Sequence, residues 1–255
     1  MTTALKRLTG RIAIVTASTE GIGFAIAERL AKEGAKVIIS SRKQKNVEEA
    51  TKKLLDQGLD VRGLTCHVAK SDDRKKLFEE AKKIGGLDIL VSNAAVSPTV
   101  GGVLDCSEES WDKIFDINVK SSFLLAKEAI PLLRSSKAGR LIFISSIAGF
   151  QPSEFLGAYA VSKTALLGLV KAASLQLAHD NITVNSICPG LIRTKFSDPI
   201  TSNDEILKTA VPGIALKRLG EPHDVSGAAA FLASDDGSYV TGENIIVSGG
   251  MASRL

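Results

Sequence analysis

Cysteine and long apolar runs are scarce in this sequence of 255 residues, and each absence excludes a class of protein. Cys66, Cys106 and Cys188 lie far apart without the spacing of metal ligands, so we expect buried, reduced thiols and no metal site. No apolar run reaches ~18 residues, and Lys6 and Arg11 interrupt the N-terminal segment. We therefore expect neither a membrane span nor an export signal, and a soluble protein inside the cell.

A strong charge of one sign is also missing. Lys and Arg number 32 and Asp and Glu 28, which gives a net charge of +4. Basic residues do not form a block interleaved with aromatic residues, so nucleic acid is not an expected partner. The mild positive excess suits an anionic small ligand such as a phosphorylated cofactor.

Short apolar runs alternate with amphipathic stretches along the whole chain. The predicted helices run from a glycine-rich turn to about residue 33, over 46–57, over 72–83, and as one long helix over 111–133. Strands separated by helices indicate βαβ units and a parallel sheet covered on both faces. We therefore predict one α/β domain over residues 1–255, a doubly wound Rossmann-type fold with a seven-stranded parallel sheet. The predicted strands are 11–16, 36–40, 61–66, 87–92, 140–145, 181–187 and 244–247.

The segment 191–221 fits this alternation least well. It contains Pro199, Pro212, Gly213 and Gly220, which interrupt regular elements. Long connections of this kind are usually functional, and this one follows a strand at the carboxyl edge of the predicted sheet, where ligands bind. We predict that it is a substrate loop.

A glycine-rich turn follows the first predicted strand. It runs from Thr16 to Gly23, includes Gly21, and opens a helix. A strand, a glycine turn and a helix N-terminus together present main-chain N–H groups to a pyrophosphate. Because this turn stands at the first strand-to-helix junction, it predicts a dinucleotide site.

The end of the second predicted strand favours NADP(H) over NAD(H). An NAD site has an acidic side chain there that binds the ribose 2′-hydroxyl. Here the strand leads into Ser41, Arg42 and Lys43, and the first acidic residue is Glu48. Two cations and a hydroxyl can bind a 2′-phosphate through charge-assisted hydrogen bonds. The alternative, that Arg42 and Lys43 are solvated loop residues, stays open.

Three polar residues in the second half of the chain indicate proton transfer. Ser146 follows the fifth predicted strand, and Tyr159 and Lys163 lie four residues apart on a predicted helix, so the last two share a helix face. A free phenol has a pKa of ~10, and a nearby ammonium favours the phenolate and lowers that pKa. Ser146 can hold a substrate oxygen beside the phenol.

These residues complete a resemblance to the classical short-chain dehydrogenase/reductase family, which covers essentially the whole chain. The family's Ser, Tyr-x-x-x-Lys and helix Asn match Ser146, Tyr159, Lys163 and Asn118. The resemblance implies that these four residues are catalytic, and that hydride passes between a nicotinamide cofactor and a carbonyl or alcohol.

The resemblance also implies a set of cofactor contacts. The family's Asn-Ala-Gly motif matches Asn93-Ala94-Ala95, and its Pro-Gly turn matches Pro189-Gly190, with Thr194 beyond it to contact the carboxamide. The implied contacts with NADP(H) come from Thr16, Ser18, Gly21, Ile22, Gly23, Ser41, Arg42, Lys43, His67, Val68, Asn93, Ala94, Tyr159, Lys163, Pro189, Gly190, Ile192 and Thr194.

Three positions depart from the family pattern. Ala17 stands at the first glycine of the turn, and Ala95 ends the Asn-Ala-Gly motif. Both are exchanges between small residues, which narrow the site without abolishing it. His67 stands where many members carry an Asp that addresses the adenine, so we expect a local structural role for His67 and a contact through the Val68 backbone.

A narrower resemblance links the chain to peroxisomal NADPH-dependent carbonyl and retinal reductases within that family. It rests on residues 16–19, 40–44 and 66–68 and on the C-terminal Ser253-Arg254-Leu255. The resemblance implies a homotetramer that reduces ketones, α-dicarbonyls such as diacetyl and, as a further candidate, retinal. Ser-Arg-Leu is a conservative variant of the peroxisomal address Ser-Lys-Leu, so we expect the peroxisomal import receptor to bind it.

Other functions of the same fold stay open. A 3-oxoacyl thioester reductase or a secondary-alcohol dehydrogenase of the family would use the same residues. A nucleotide-binding scaffold without chemistry would be expected to lack Tyr159 or Lys163, and an enoyl reductase acting on acyl-CoA C=C bonds does not need them. The intact pair therefore favours a carbonyl reductase.

Overall fold

The sheet is built as the sequence predicts. A computed structural model describes residues 6–251, and its strands are β1 (Ile12–Val15), β2 (Lys36–Ser41), β3 (Val61–Thr65), β4 (Ile89–Ser92), β5 (Gly139–Ile144), β6 (Ile182–Pro189) and β7 (Asn244–Val247). Within these residues the seven strands form one sheet of order β3-β2-β1-β4-β5-β6-β7, and every pairing is parallel. The predicted α/β class and seven-stranded parallel sheet are confirmed.

Helices flank the sheet on both faces. In the described part of the chain they are α1 (Gly21–Lys32), α2 (Gln44–Leu55), α3 (Ser71–Lys83), α4 (Glu108–Phe115), α5 (Ser121–Ser135), α6 (Gly157–Leu177), α7 (Asp198–Thr201), α8 (Asp204–Ala210) and α9 (Pro222–Ala233). One apolar cluster joins the sheet to α1, α2 and α9, and the other joins it to α3, α5 and α6. On β1, Val15 faces the first cluster and Ile14 the second, as the alternation of a strand requires. None of the helices between residues 6 and 251 has both the length and the apolar character needed to cross a bilayer.

The central strand β1 determines where a ligand can bind. It pairs in parallel with β2 on one side and with β4 on the other. The strand order reverses at this point, so the connections that leave the carboxyl ends of β1 and β4 turn to opposite faces of the sheet. A crevice forms between such connections, and the glycine turn after β1 lies at its edge.

One predicted helix is interrupted. The sequence predicted a single helix over 111–133, whereas the structure has α4, a π-helical turn over Asp116–Lys120, and α5. The Ser121 hydroxyl donates to the first carbonyl of that turn (2.7 Å), and the Ser122 hydroxyl donates to the main-chain oxygen of Asn118 (2.8 Å). The prediction of one unbroken helix was wrong because hydroxyl bonds of this kind stabilise an inserted residue that an apolar periodicity does not reveal.

The segment 191–221 is not one irregular loop. It contains α7, α8 and a short 3₁₀ turn over Val211–Gly213, and it runs into α9, which the sequence interpretation did not assign. Two start signals for α9 were present, namely Pro222 at its first position and a capping box formed by Glu221 and Asp224. Most side chains in the body of this helix are buried, so it lacks the amphipathic pattern on which the other assignments rested.

Arg74 anchors α3 to α5 inside the second apolar cluster. The guanidinium is buried, and it donates to the Glu128 carboxylate, with Nη2 to Oε1 at 2.9 Å. It also donates to the main-chain oxygen of Val68 (2.7 Å). One cation therefore holds two helices and the turn that follows β3. Removing it would leave the buried Val68 carbonyl and the partly exposed Glu128 carboxylate without their partner.

We expect Arg74→Ala to lower the free energy of unfolding by about 2 kcal/mol, because a buried carbonyl loses its donor and a partly exposed carboxylate loses its cation. Urea denaturation at fixed protein concentration measures this change. Lys75→Ala removes a neighbouring, exposed cation of the same helix and should leave stability within about 0.5 kcal/mol. Equal stability of the two variants would show that the Arg74 bonds contribute nothing.

Candidate active site

Ser146, Tyr159 and Lys163 meet at the carboxyl edge of the sheet. Ser146 follows β5, and its hydroxyl accepts the Ala148 N–H (3.1 Å), which holds the short turn after the strand. Tyr159 and Lys163 lie one turn apart on α6, whose Leu166 belongs to the apolar cluster beneath it. The Lys163 Nζ lies 5.5 Å from the centroid of the Tyr159 ring. The structure thus brings together three of the four residues predicted to be catalytic.

Burial governs the protonation of Tyr159. The residue is only 9% exposed, and burial raises the pKa of its phenol, while a hydrogen bond with Ser146 acts in the opposite direction. From the sequence we expected the Lys163 ammonium to lower this pKa. Burial raises it instead, because a charged phenolate would lose its solvation. Tyr159 therefore stays a neutral phenol near neutral pH, which is the form that can donate a proton.

The main chain anchors Lys163. Its Nζ donates to the carbonyl oxygen of Ile144 at 2.8 Å. The residue is 2% exposed, and burial lowers the pKa of its ammonium to about 8. The group is therefore mostly charged near neutral pH. Two of its three N–H groups make no hydrogen bond with residues 6–251 and can serve a ligand.

Asn118, the fourth residue, links two segments of the site through hydrogen bonds. It lies in the π-helical turn and is fully buried. Its amide accepts the Val96 N–H (2.8 Å) and donates to the Val96 oxygen (3.0 Å) and to the Ser162 hydroxyl (3.0 Å). Ser162 in turn donates to the main-chain oxygen of Tyr159 (2.7 Å). Asn118 therefore joins the chain after β4 to the start of α6.

The sequence did not reveal Val96 and Ser162 as the hydrogen-bond partners of Asn118. Ser162 is a polar residue between Tyr159 and Lys163 on a helix, and that position was the available signal. Its hydroxyl could have pointed to solvent, so only the fold shows that it is buried and bonded.

The glycine turn after β1 has the shape of a phosphate site. Ala17 and Gly21 adopt positive φ angles of 50° and 58°. A Cβ on Gly23 would lie 2.5 Å from the Ala17 oxygen and from the Asn93 Nδ2, so this position needs glycine. Within the described residues Glu20 makes no capping bond to α1, so the first N–H groups of the helix stay available to an anion. The turn therefore fits a dinucleotide pyrophosphate.

Several residues predicted to touch the cofactor also form hydrogen bonds that hold this turn from behind. Thr16 and Ser18 are fully buried, and the Thr16 hydroxyl accepts the N–H groups of Asn93 (3.0 Å) and Ala94 (3.3 Å). The Ser18 hydroxyl donates to the Val15 oxygen (2.5 Å). The Asn93 amide donates to the main-chain oxygens of residues 16 and 17, both at 3.0 Å. These side chains give the turn its shape. Ile22, between the two glycines, packs against the apolar core.

Two exposed basic side chains lie at the end of β2. Arg42 and Lys43 are exposed, and neither forms an ion pair with residues 6–251. Ser41 is partly exposed and ends the strand, and its main-chain oxygen accepts the Cys66 N–H at the next strand (2.9 Å). Unpaired cations beside a half-exposed hydroxyl fit the 2′-phosphate of NADP(H).

His67 and Val68 form the turn after β3. The His67 Nδ1 accepts the Ala69 N–H (3.3 Å), and the His67 N–H donates to the Asp73 carboxylate (2.9 Å). The Val68 oxygen is held by Arg74. The imidazole thus has the local structural role expected from the sequence.

The chain after β6 closes the opposite end of the crevice. The Gly190 N–H donates to the Val247 oxygen (2.9 Å), just beyond Pro189, and Ile192 is buried in the core. A Cβ on Gly21 would lie 3.3 Å from the Thr194 Cγ2, so the glycine turn and Thr194 are neighbours. Residues from both ends of the sequence therefore line one elongated site.

Comparisons with known proteins agree with this geometry. A family model described as Enoyl-(Acyl carrier protein) reductase matches residues 16–252. Human "Dehydrogenase/reductase SDR family member 4" is 50% identical over 249 residues, which span 97% of this chain and 90% of the relative. "Tropinone reductase-like 3" of Erythroxylum coca is 51% identical over 98% of this chain and 96% of its own length. The structure of the "Pseudomonas aeruginosa RhlG/NADP active-site complex" has a TM-score of 0.89 at 31% identity, and the match covers 97% of this chain and 98% of that chain.

These likenesses extend over nearly the whole chain, and they include a relative solved with NADP at its active site. The glycine turn, the Ser-Tyr-Lys cluster and strands β2 to β7 lie inside the region that the family model matches. The chain therefore belongs to the short-chain dehydrogenase/reductase family and is an oxidoreductase that uses a nicotinamide cofactor.

Proposed function

We propose that the protein is an NADPH-dependent carbonyl reductase in which Tyr159 is the general acid. The observation that carries the proposal is the buried, neutral Tyr159 beside Ser146 and a charged Lys163, at the edge of a crevice that fits a dinucleotide. The proposed substrates are ketones and α-dicarbonyls such as diacetyl, with retinal as a further candidate. A 3-oxoacyl thioester reductase or a secondary-alcohol dehydrogenase would use the same residues and stays the alternative.

The proton comes from the chain's own residues. When bound, the reduced nicotinamide supplies the hydride. Negative charge then grows on the substrate oxygen, and the Tyr159 hydroxyl meets it by donating its proton, while Ser146 donates a second hydrogen bond. Lys163 stabilises the phenolate that Tyr159 becomes, because its ammonium stands on the same helix face. The free N–H groups of Lys163 also suit a bond to the nicotinamide ribose.

Reprotonation of Tyr159 needs a path to solvent, and we assign Asn118 to it. The Asn118 side-chain amide is committed to Val96 and Ser162. A water that connects Lys163 to solvent would therefore bind the main-chain oxygen of Asn118, which accepts from Ser122 and has a second lone pair.

Arg42, Lys43 and Ser41 support NADPH as the cofactor, because they offer charge and hydrogen bonds to a 2′-phosphate. We assign the segment 191–221, on the other side of the crevice, to substrate binding, because Thr194 borders the glycine turn. We treat residues 1–255 as one reductase domain.

We further propose that the protein is a homotetramer in peroxisomes. Both follow from the family resemblance, and the address is Ser253-Arg254-Leu255, which lies outside the described residues.

Tyr159→Phe removes only the hydroxyl of the proposed acid. We expect kcat for a preferred carbonyl to fall by roughly 100-fold or more, while NADPH affinity survives. Steady-state kinetics and a cofactor-binding titration measure the two effects. Tyr239→Phe, at the other tyrosine of the chain, makes the same chemical change at a fully exposed side chain and should leave kcat unchanged.

Lys163→Ala should lower both turnover and cofactor affinity. Near-normal kcat in Tyr159→Phe, with a kinetic isotope effect showing that hydride transfer limits the rate, would contradict the mechanism.

Arg42→Ala tests the cofactor. We expect the unmodified protein to have a kcat/KM for NADPH at least about tenfold above that for NADH, and the variant to raise KM for NADPH far more than for NADH. Lys52→Ala, which removes a cation from the last turn of α2, the helix that follows Arg42, should leave the preference intact. Equal use of NADPH and NADH by the unmodified protein would refute the assignment.

Deletion of Leu255 tests the address. Microscopy of cells that express the truncated and the full-length chain should show the first in the cytosol and the second in peroxisomes. Activity in lysates should be equal, because the deletion removes none of the proposed catalytic or cofactor-binding residues. Unchanged import of the truncated chain would exclude this signal.

A further inference from the structure

Ser92 and Ser122 are two buried serines that the proposed mechanism leaves unused. Ser92 ends β4 and Ser122 is the second residue of α5, and each is only 3% exposed. The surroundings are apolar, since Leu90 of β4 and Leu125 of α5 belong to the same apolar cluster. A hydroxyl in such a place is costly unless it is hydrogen-bonded. The bonds that these two hydroxyls make therefore matter for the turn beside them.

The two hydroxyls form a chain of hydrogen bonds that ends in the π-helical turn. The Ser92 hydroxyl donates to the Ser122 hydroxyl at 3.1 Å, and the Ser122 hydroxyl donates to the main-chain oxygen of Asn118 at 2.8 Å. A serine hydroxyl has one proton and two lone pairs, so the bond from Ser92 leaves the Ser122 proton for the Asn118 oxygen. Hydrogen bonds in series also polarise one another inside a protein. Ser92 therefore orients and strengthens the bond that Ser122 makes.

Asn118 is held both by its main chain and by its side chain. A π-helical turn inserts one residue into a helix, so the regular hydrogen-bond ladder does not by itself fix the direction of its carbonyl groups. The Ser122 hydroxyl binds the Asn118 oxygen, and the Asn118 side-chain amide donates to the Ser162 hydroxyl at 3.0 Å. Ser162 donates in turn to the main-chain oxygen of Tyr159 at 2.7 Å. The serines of β4 and α5 are thereby connected to the helical turn that carries Tyr159.

We infer that Ser122, oriented by Ser92, is a positioning residue for the return of a proton to Tyr159. The role rests on the proposed function, in which the water between Lys163 and solvent binds the Asn118 main-chain oxygen. The Ser122 hydroxyl occupies one lone pair of that oxygen and so fixes the direction in which the other lone pair accepts the water. After hydride transfer the Tyr159 phenolate takes a proton that Lys163 supplies. Lys163 takes one from the water, and the water takes one from solvent.

Ser122→Ala removes this hydroxyl and tests the role by steady-state kinetics at saturating NADPH. The proton returns after the carbonyl has been reduced, so its delay lowers kcat while kcat/KM for the carbonyl stays unchanged. We expect kcat to fall about fivefold, as the loss of one well-placed hydrogen bond gives. The solvent deuterium isotope effect on kcat should rise, and the isotope effect of NADPH deuterated at C4 should fall, because proton return becomes the slow step. A site that is merely loosened would lower kcat/KM as well.

Two matched variants separate the position of the hydroxyl from the stability of the turn. Ser122→Thr keeps the hydroxyl and should restore kcat to within about twofold. Ser121→Ala removes the neighbouring buried hydroxyl, which binds the Asp116 oxygen at the start of the same turn (2.7 Å), and should leave kcat and both isotope effects unchanged. Circular dichroism checks that each variant folds. If Ser122→Ala does not fold, Ser92→Ala replaces it, because it removes only the orienting donor and should change both isotope effects in the same direction.

The outcomes separate the role of Ser122 from the function beneath it. If the unmodified protein reduces no carbonyl, or if Tyr159→Phe turns over normally, the proposed function fails and the role of Ser122 falls with it. If the protein reduces carbonyls and Tyr159→Phe does not, three results overturn the role of Ser122 alone. The first is unchanged kcat and isotope effects in Ser122→Ala, or in Ser92→Ala where it is the replacement. The second is a fall of kcat/KM together with kcat, and the third is the same set of changes in Ser121→Ala.

Discussion

The parallel pairing of β1 with both β2 and β4 is the constraint on which the site depends. Parallel strands bring all their carboxyl ends to one edge of the sheet, so residues far apart in the sequence meet there. Gly21 after β1, Tyr159 beyond β5 and Thr194 beyond β6 become neighbours of one crevice for this reason. Because the strand order reverses beside β1, the connections separate and leave room for a long ligand.

Buried polar groups then make the site rigid. An amide or an ammonium inside a protein is costly unless it is bonded, and here each has a partner within the chain. Asn118 binds Val96 and Ser162, and Lys163 binds the Ile144 oxygen. The same burial that demands these bonds raises the pKa of Tyr159 and lowers that of Lys163. The exclusion of water from the start of α6 therefore determines both the hydrogen bonds of these side chains and the pKa values of Tyr159 and Lys163.

The Ser-Tyr-Lys cluster and the walls around it belong to different parts of the molecule. The cluster and its partners belong to β5, α6 and the π-helical turn, which pack against the apolar core. The walls around Tyr159 lie outside the sheet, in residues 99–106 and 191–221. Two relatives with about 50% identity to this chain have the printed names of a dehydrogenase/reductase and of a tropinone reductase-like protein.

The sequence by itself determined the strand pattern, the glycine turn, the cations at the end of β2 and the Ser-Tyr-Lys spacing. These are local signals, since periodicity, turn chemistry and a four-residue interval on a helix need no distant partner. Only the tertiary structure decided that Thr16 and Ser18 hold the turn from inside, that a π-helical turn sets Asn118 against Ser162, and that Phe196 stands beside Tyr159. Each of these depends on contacts between segments distant along the chain, and whether a hydroxyl faces solvent, a ligand or a buried carbonyl is set by what the fold places opposite it.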